Sequence, residues 1–120
     1  MWRWPTEGSV VHEFAPDDGQ KGIDIAARLG QPVYAAAAGK VVYSGSALKG
    51  YGELVIIKHN ERYLSAYGYN SRRLVEEGQT VAAGQPIAEV GQGPTQQPML
   101  HFEIRDKGTP INPLPLLPSR

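Results

Sequence analysis

Asp24 and His101 have the side-chain types and surroundings of metal ligands. Each stands between large apolar residues in a short β-type run, so in a strand its side chain points away from both neighbours. A catalytic zinc takes three protein ligands from His, Asp, Glu or Cys, and it lowers the pKa of a bound water to about 7. An isolated aspartate or histidine in such a run is more often a hydrogen-bonded strand residue. His12 and His59 lie in strand patterns of their own and add no ligand spacing.

The segments around these two residues carry a family resemblance. Residues 21–27 (Lys-Gly-Ile-Asp-Ile-Ala-Ala) and 100–105 (Leu-His-Phe-Glu-Ile-Arg) are similar to LytM-type peptidoglycan endopeptidases, which carry His-x-Gly-x-Asp and His-x-His-Phe-Glu there. The resemblance implies that Asp24 and His101 are relic zinc ligands and that Gln20 replaces the third ligand. A neutral amide oxygen is a weak zinc ligand, so Gln20 cannot replace an imidazole.

The positions of the family's assisting histidines are also changed. Met99 precedes Leu100 where the resemblance implies a histidine, and Tyr-Gly-Tyr-Asn at residues 67–70 replaces the family's Tyr-Ala-His, which places Tyr69 at the histidine. A thioether transfers no protons, and a phenol with a pKa of about 10 is a poor general base at neutral pH. The resemblance therefore implies a degenerate domain with no catalytic residues, no bound metal and no cofactor.

Composition excludes several classes of function. Twelve basic and twelve acidic side chains balance, which favours neither nucleic acid nor an anionic membrane surface. The chain has no apolar run near 18 residues, so no membrane span is predicted. It also has no cysteine, which leaves the redox compartment open.

Turn residues and short β-branched runs predict an all-β fold. Fourteen glycines and ten prolines in 120 residues interrupt the chain too often for long helices. Strands at roughly ten-residue spacing indicate a sandwich or barrel. The candidate strands are Val10–Phe14, Ile23–Ala26, Pro32–Ala36, Lys40–Ser46, Leu54–His59, Arg62–Tyr69, Pro86–Val90 and Leu100–Arg105.

The connections and the domain limits complete this prediction. Asn60-Glu61 is expected to form a two-residue hairpin loop, and residues 71–75 a single helical turn. The chain is predicted to be one domain over residues 1–120, with its core at about 4–117. The proline-rich residues 110–120 are expected to form an extended surface tail.

The LytM resemblance makes the fold more specific. It implies the lysostaphin-type peptidase fold, an antiparallel β sandwich or half-barrel with a central groove, related to the duplicated hybrid motif. Gly-Gln-Pro followed by an apolar run occurs at Gly30 and again at Gly84. Ala38–Val41 and Val81–Ile87 have a rhythm similar to that of biotinyl and lipoyl carrier domains. A carrier needs an exposed lysine at a hairpin tip, and neither Lys40 nor Lys58 has that setting. The shared rhythm is better explained by similar barrel architecture.

The resemblance extends from about residue 4 to residue 117 and implies a function. Tyr-Gly-Tyr-Asn is similar to LytM factors of the NlpD/EnvC kind, which have lost catalysis and activate cell-wall amidases. It implies a Gram-negative periplasmic or envelope location, with the targeting segment outside this sequence. The implied partner is a periplasmic zinc-dependent N-acetylmuramoyl-L-alanine amidase, which the domain would release from autoinhibition at cell separation, with peptidoglycan as a further possible ligand.

The former active-site groove is the implied docking surface, because aromatic, methionine and arginine side chains are enriched at interface cores. The predicted partner-binding residues are Lys21, Asp24, Tyr51, Tyr69, Met99, His101 and Arg105. Two alternatives stay open. One is a divergent zinc endopeptidase that uses Asp24, His101 and a third ligand from elsewhere, and the other is a cell-wall-binding module without an activating role.

Overall fold

The β-branched and aromatic runs form ten antiparallel strands in one sheet. The structure is a computed structural model that describes all 120 residues. The strands are β1 (Val10–His12), β2 (Ile23–Ala26), β3 (Pro32–Tyr34), β4 (Gly39–Gly45), β5 (Glu53–Lys58), β6 (Tyr63–Arg73), β7 (Thr80–Val81), β8 (Pro86–Gln92), β9 (Pro98–Asp106) and β10 (Thr109–Ile111). Short 3₁₀ turns occupy Pro16–Asp18 and Leu114–Leu116. Neither helical segment is long and apolar enough to cross a membrane.

Strand β9 is the centre of the sheet. The main order is β1-β2-β9-β8-β6-β5-β4-β7, and β9 also pairs with β6 and β10 while β3 pairs with β8. Strand β9 pairs with four strands, β2, β6, β8 and β10, along its nine residues. The sheet therefore branches at β9. The large residues Leu100, Phe102 and Ile104 face the core and are fully buried.

The opposite face of the same strands positions the site. Alternation along β9 places His101, Glu103 and Arg105 together on the face away from these core residues. The register sets them opposite Gly68, Ala66 and Leu64 of β6, in that order. Strand β2 lies on the other side of β9. This face is the groove that the sequence analysis predicted.

The predicted strands all occur, with boundaries that shift by up to four residues. The prediction missed only β7 and β10, which have two and three residues and carry no periodic pattern long enough to detect. The predicted helical turn at residues 71–75 is wrong, because β6 continues to Arg73 and pairs with β8.

The predicted hairpin occurs, but its two-residue loop is wrong. Strand β5 ends at Lys58 and β6 begins at Tyr63, so four residues connect them. The Asn60 side-chain oxygen accepts hydrogen bonds from the backbone N–H groups of Arg62 and Tyr63, both at 2.8 Å. Asn60 therefore acts through its side chain as a turn acceptor rather than through a positive φ.

The proline-rich C-terminal segment is not the extended surface tail that the sequence predicted. Thr109–Ile111 pairs with β9, and Leu114–Leu116 forms a 3₁₀ turn. Leu117 is buried in the apolar core cluster, which explains why the chain folds back onto the sheet. The single domain over residues 1–120 stays a prediction.

Candidate functional site

Strands β2 and β9 bring the predicted pair Asp24 and His101 together. The two residues are direct register partners in the antiparallel ladder, although they are 77 positions apart in sequence. His101 Nδ1 lies 2.7 Å from Asp24 Oδ1. Both side chains are buried, so this contact is shielded from solvent. The structure thus brings the two residues that the family motifs single out into direct contact.

His101 lies between two carboxylates. Its second nitrogen, Nε2, is 2.8 Å from Glu103 Oε2. Burial lowers the pKa of His101, but the hydrogen bonds to Asp24 and Glu103 and their charges outweigh burial and raise the pKa of His101 to about 9. At neutral pH the ring is therefore an imidazolium that donates from both nitrogens.

Glu103 continues this chain of charges toward the groove surface. The Tyr51 hydroxyl donates to Glu103 Oε2 at 2.9 Å, and Arg105 Nε and Nη2 donate to Glu103 Oε1 at 2.8 and 2.7 Å. Burial raises the pKa of Glu103, but His101 and Arg105 outweigh it and hold that pKa below its ordinary value. Because Glu103 is a buried carboxylate, these partners are what allow it to stay charged.

Tyr69 projects over His101 from an irregular position in β6. Its backbone has φ of 64°, the left-handed region, and its N–H donates to Tyr51 O at 2.7 Å. The Tyr69 and His101 ring centroids are 5.4 Å apart, and Tyr51 approaches the same imidazole at 5.7 Å. Gly68 leaves the space for this arrangement, since a Cβ there would lie 3.2 Å from Tyr51 O. The imidazolium is thus covered by two half-buried tyrosines.

The remaining predicted residues differ in accessibility. Gln20 donates from Nε2 to Gly22 O at 3.0 Å and lines the groove. Met99 is buried at the far end of the site, whereas Lys21 is exposed at its rim. The structure therefore places all seven predicted residues around one groove, but it leaves Asp24, Met99 and His101 little surface for a direct contact.

His12 is the site residue that the sequence analysis missed. Its Nδ1 lies 2.9 Å from Asp24 Oδ2, so it takes the carboxylate oxygen that His101 leaves free. The pairing of His12 with Asp24 in the β1–β2 ladder brings it there. Only the alternation of Val10–His12 in the sequence could have suggested this, and a strand of three residues gives little periodicity. No group of three or more His, Cys, Asp or Glu side chains is arranged to hold a metal ion.

Comparison with known proteins identifies the family. Residues 18–113 match the model described as peptidase family M23. The chain belongs to peptidase family M23. The resemblance and the fold class predicted from the LytM motifs are thereby confirmed. The antimicrobial peptidase lysostaphin from Staphylococcus simulans has a similar fold, with a TM-score of 0.78 and 27% identity over 92% of this chain and 48% of the lysostaphin chain.

Two curated relatives are more similar in sequence to this M23 domain. A lipoprotein NlpD/LppB homolog of Pseudomonas aeruginosa is 59% identical over 120 residues, which is 99% of this chain and 40% of the relative. The murein hydrolase activator NlpD of Escherichia coli K12 is 58% identical over 99% of this chain and 32% of its own length. The M23 chain thus spans 40% of the first relative and 32% of the second.

The groove of the M23 domain has three connected parts. A pocket of about 220 Å³ and one of about 250 Å³ share Gln20 and Tyr69, which divide them. The first holds the exposed side of His101 and Glu103, and the second holds Asp24 and Met99. A third pocket of about 330 Å³ shares Tyr51 and Glu103 with the first and has mainly apolar walls. The groove is therefore charged at its centre and apolar at one end.

The buried imidazolium predicts a pH dependence of folding stability. The pKa of His101 is about 9 in the folded domain against an ordinary 6.5 in the unfolded chain. A raised folded-state pKa gives stability that is fully present below about pH 6.5 and is lost as pH rises toward 9. We expect the melting temperature in the presence of a chelator to fall by several degrees between about pH 6 and pH 9. In an NMR titration the His101 ring should titrate near 9, and titration near 6.5 would contradict the proposed ion chain.

Proposed function

We propose that this M23 domain is a non-catalytic activator of a zinc-dependent N-acetylmuramoyl-L-alanine amidase. The observation that supports it most is the position of Gln20, which lines the groove beside Asp24 and His101 where a zinc hydrolase would carry its third ligand. Gln20 has no basic nitrogen for a metal, and its amide donates to a backbone carbonyl. The relatives named murein hydrolase activators support the same role.

An activator of this kind works by shifting a conformational equilibrium. It must bind the open amidase more tightly than the autoinhibited one, because equal affinity for both states shifts nothing. The groove is concave and joins charged and apolar parts, which suits a docked segment of a partner protein. A cell-envelope location, in the periplasm of a Gram-negative cell, is part of this proposal and accords with the lipoprotein name of the Pseudomonas relative.

The predicted contact residues fall into two groups, which differ in how accessible their side chains are. Tyr51, Tyr69 and Arg105 are half-buried and can present a ring or a guanidinium to a partner. Asp24, Met99 and His101 are buried. His101 lies beside both tyrosine rings, bonds Asp24, and bonds Glu103, which in turn holds Arg105. We therefore propose that the first group and Lys21 contact the amidase, and that the second group positions the first.

A stimulation assay tests the proposed function. The domain is added to a purified N-acetylmuramoyl-L-alanine amidase with peptidoglycan as substrate, and muropeptide release is measured. We expect release to rise many-fold with both proteins and to be undetectable with the domain alone. Co-sedimentation of the domain with peptidoglycan but no stimulation would favour a wall-binding module instead.

The second candidate function is a divergent zinc endopeptidase in which His12 is the third ligand. With Asp24 and His101, it would supply the third ligand that Gln20 cannot. The arrangement of the three side chains argues against it, because they do not form a group that could hold a metal ion. We expect protein purified with zinc present to contain far less than one zinc per chain. Near-stoichiometric zinc that is lost in His12→Ala would favour the endopeptidase.

A further inference from the structure

The apolar pocket at the end of the groove is separate from the core of the domain. Leu54 and Ile56 of β5 and Leu64 of β6 form its floor, and Leu48 in the loop between β4 and β5 covers one side. Leu48 remains 44% exposed. The pocket volume of about 330 Å³ lies at the lower end of the range for ligand sites, which suits one or two aliphatic side chains.

The rim of this pocket is positively charged. Lys49 lines both this pocket and the central one, and Lys21 lines the central one. Neither lysine forms an ion pair. Glu103 is the only acidic residue lining either pocket, and both its oxygens are already bonded to His101, Tyr51 and Arg105. The rim therefore offers unpaired cations and no free carboxylate.

Arg105 adds a directed donor beside the apolar walls. Its Nε and Nη2 are used by Glu103, and Nη2 also donates to the Tyr51 hydroxyl at 3.2 Å. Its Nη1 makes no hydrogen bond, and the side chain is 29% exposed. A guanidinium fixed in this way can donate from Nη1 to a partner's carboxylate without losing further side-chain freedom.

We propose that this pocket holds an aliphatic side chain of an amphipathic segment of the amidase, and that carboxylates flanking this side chain pair with Lys49, Lys21 and Arg105. This inference rests on the proposed function and adds the chemistry of the segment that docks. Charge complementarity selects an acidic segment, because a basic one would meet unpaired cations with no counter-charge. The apolar side chain supplies the anchor, and the carboxylates set its orientation.

Two surface variants test the two halves of this recognition. Leu48→Ser removes an apolar wall, and Lys49→Glu reverses a rim charge. Both residues are exposed, so folding should be unaffected. Leu29→Ser and Lys40→Glu are matched controls, since these exposed residues line none of the groove pockets. The Kd for the purified amidase is measured for each variant at about 0.05 M and about 0.3 M salt, because salt screens only the charged contribution.

We expect Leu48→Ser to weaken binding about tenfold or more at both salt concentrations. Lys49→Glu should weaken binding about tenfold at the lower salt and less at the higher. The controls should bind as the parent does. Parental affinity in both groove variants, with the parent still stimulating the amidase, would overturn this inference and leave the proposed function intact. Failure of the parent itself to bind or stimulate would overturn both.

Discussion

Gln20→His is expected to create strong zinc binding without creating a peptidoglycan hydrolase. Gln20 lines the groove pocket that contains Asp24, and it also lines the pocket that reaches His101. An imidazole at position 20 would complete a set of three protein ligands, which is the number that catalytic zinc sites use. Zinc affinity depends on the number and geometry of the ligands. We therefore expect zinc content after purification to rise from far below one to near one per chain.

Hydrolysis should remain undetected in this variant, because the proton-transfer positions are unchanged. Met99 transfers no protons, and burial together with the charges of Asp24 and Glu103 raises the pKa of Tyr69 further from neutrality. Zinc must also displace the proton that His101 directs at Asp24. Zinc affinity of Gln20→His should therefore rise with pH up to about 9, the pKa of His101.

Two measurements check this expectation. Metal analysis with calorimetric titration gives zinc affinity, and muropeptide release from purified peptidoglycan gives activity. Gln20→Asn serves as the control, because it keeps an amide and should stay free of zinc. Digestion of peptidoglycan by the single Gln20→His variant would show that the residues at positions 69 and 99 do not limit catalysis.

The central pair of the site could be predicted because strand alternation and two short motifs constrain it. Ile23–Ala26 is a strand in the structure with the predicted bounds, and His101 alternates with Leu100 and Phe102 as expected. The same alternation fixes Glu103 and Arg105 on the face of His101. What the sequence could not give is the direction of each polar side chain, which depends on contacts between strands distant in sequence.

His12 and Tyr69 show why the rest escaped prediction. The contact between His12 and Asp24 depends on a register irregularity between Val10 and His12, and no sequence rule sets such a register over three residues. Tyr69 combines a left-handed φ of 64° with a close approach to Gly91 of the neighbouring strand, where a Cβ would lie 2.4 Å from Tyr69 O. These are tertiary effects, which local propensity does not contain.

Tyr69→Gly is expected to remove amidase stimulation while leaving the fold intact. Glycine adopts the left-handed conformation without the cost of roughly 1 kcal/mol that other residues bear, and this gain offsets the lost packing of the half-buried ring. Losing an aromatic anchor at an interface core typically costs about 2 kcal/mol, which is roughly thirtyfold in affinity. The melting temperature should therefore stay near that of the parent, while the Kd for the amidase rises about thirtyfold.

Comparison variants separate the ring from the rest of the site. Tyr69→Phe should stimulate normally, because the Tyr69 hydroxyl makes no hydrogen bond within the domain and the ring is the proposed anchor. Arg105→Ala should lose both stimulation and part of the stability, since Glu103 would keep only two of its three partners. Arg72→Ala, which changes an exposed residue outside the groove, should change neither. Normal stimulation by a folded Tyr69→Gly, Arg105→Ala double variant would place the activating surface elsewhere on the domain, because two of the proposed groove contacts would then be dispensable together.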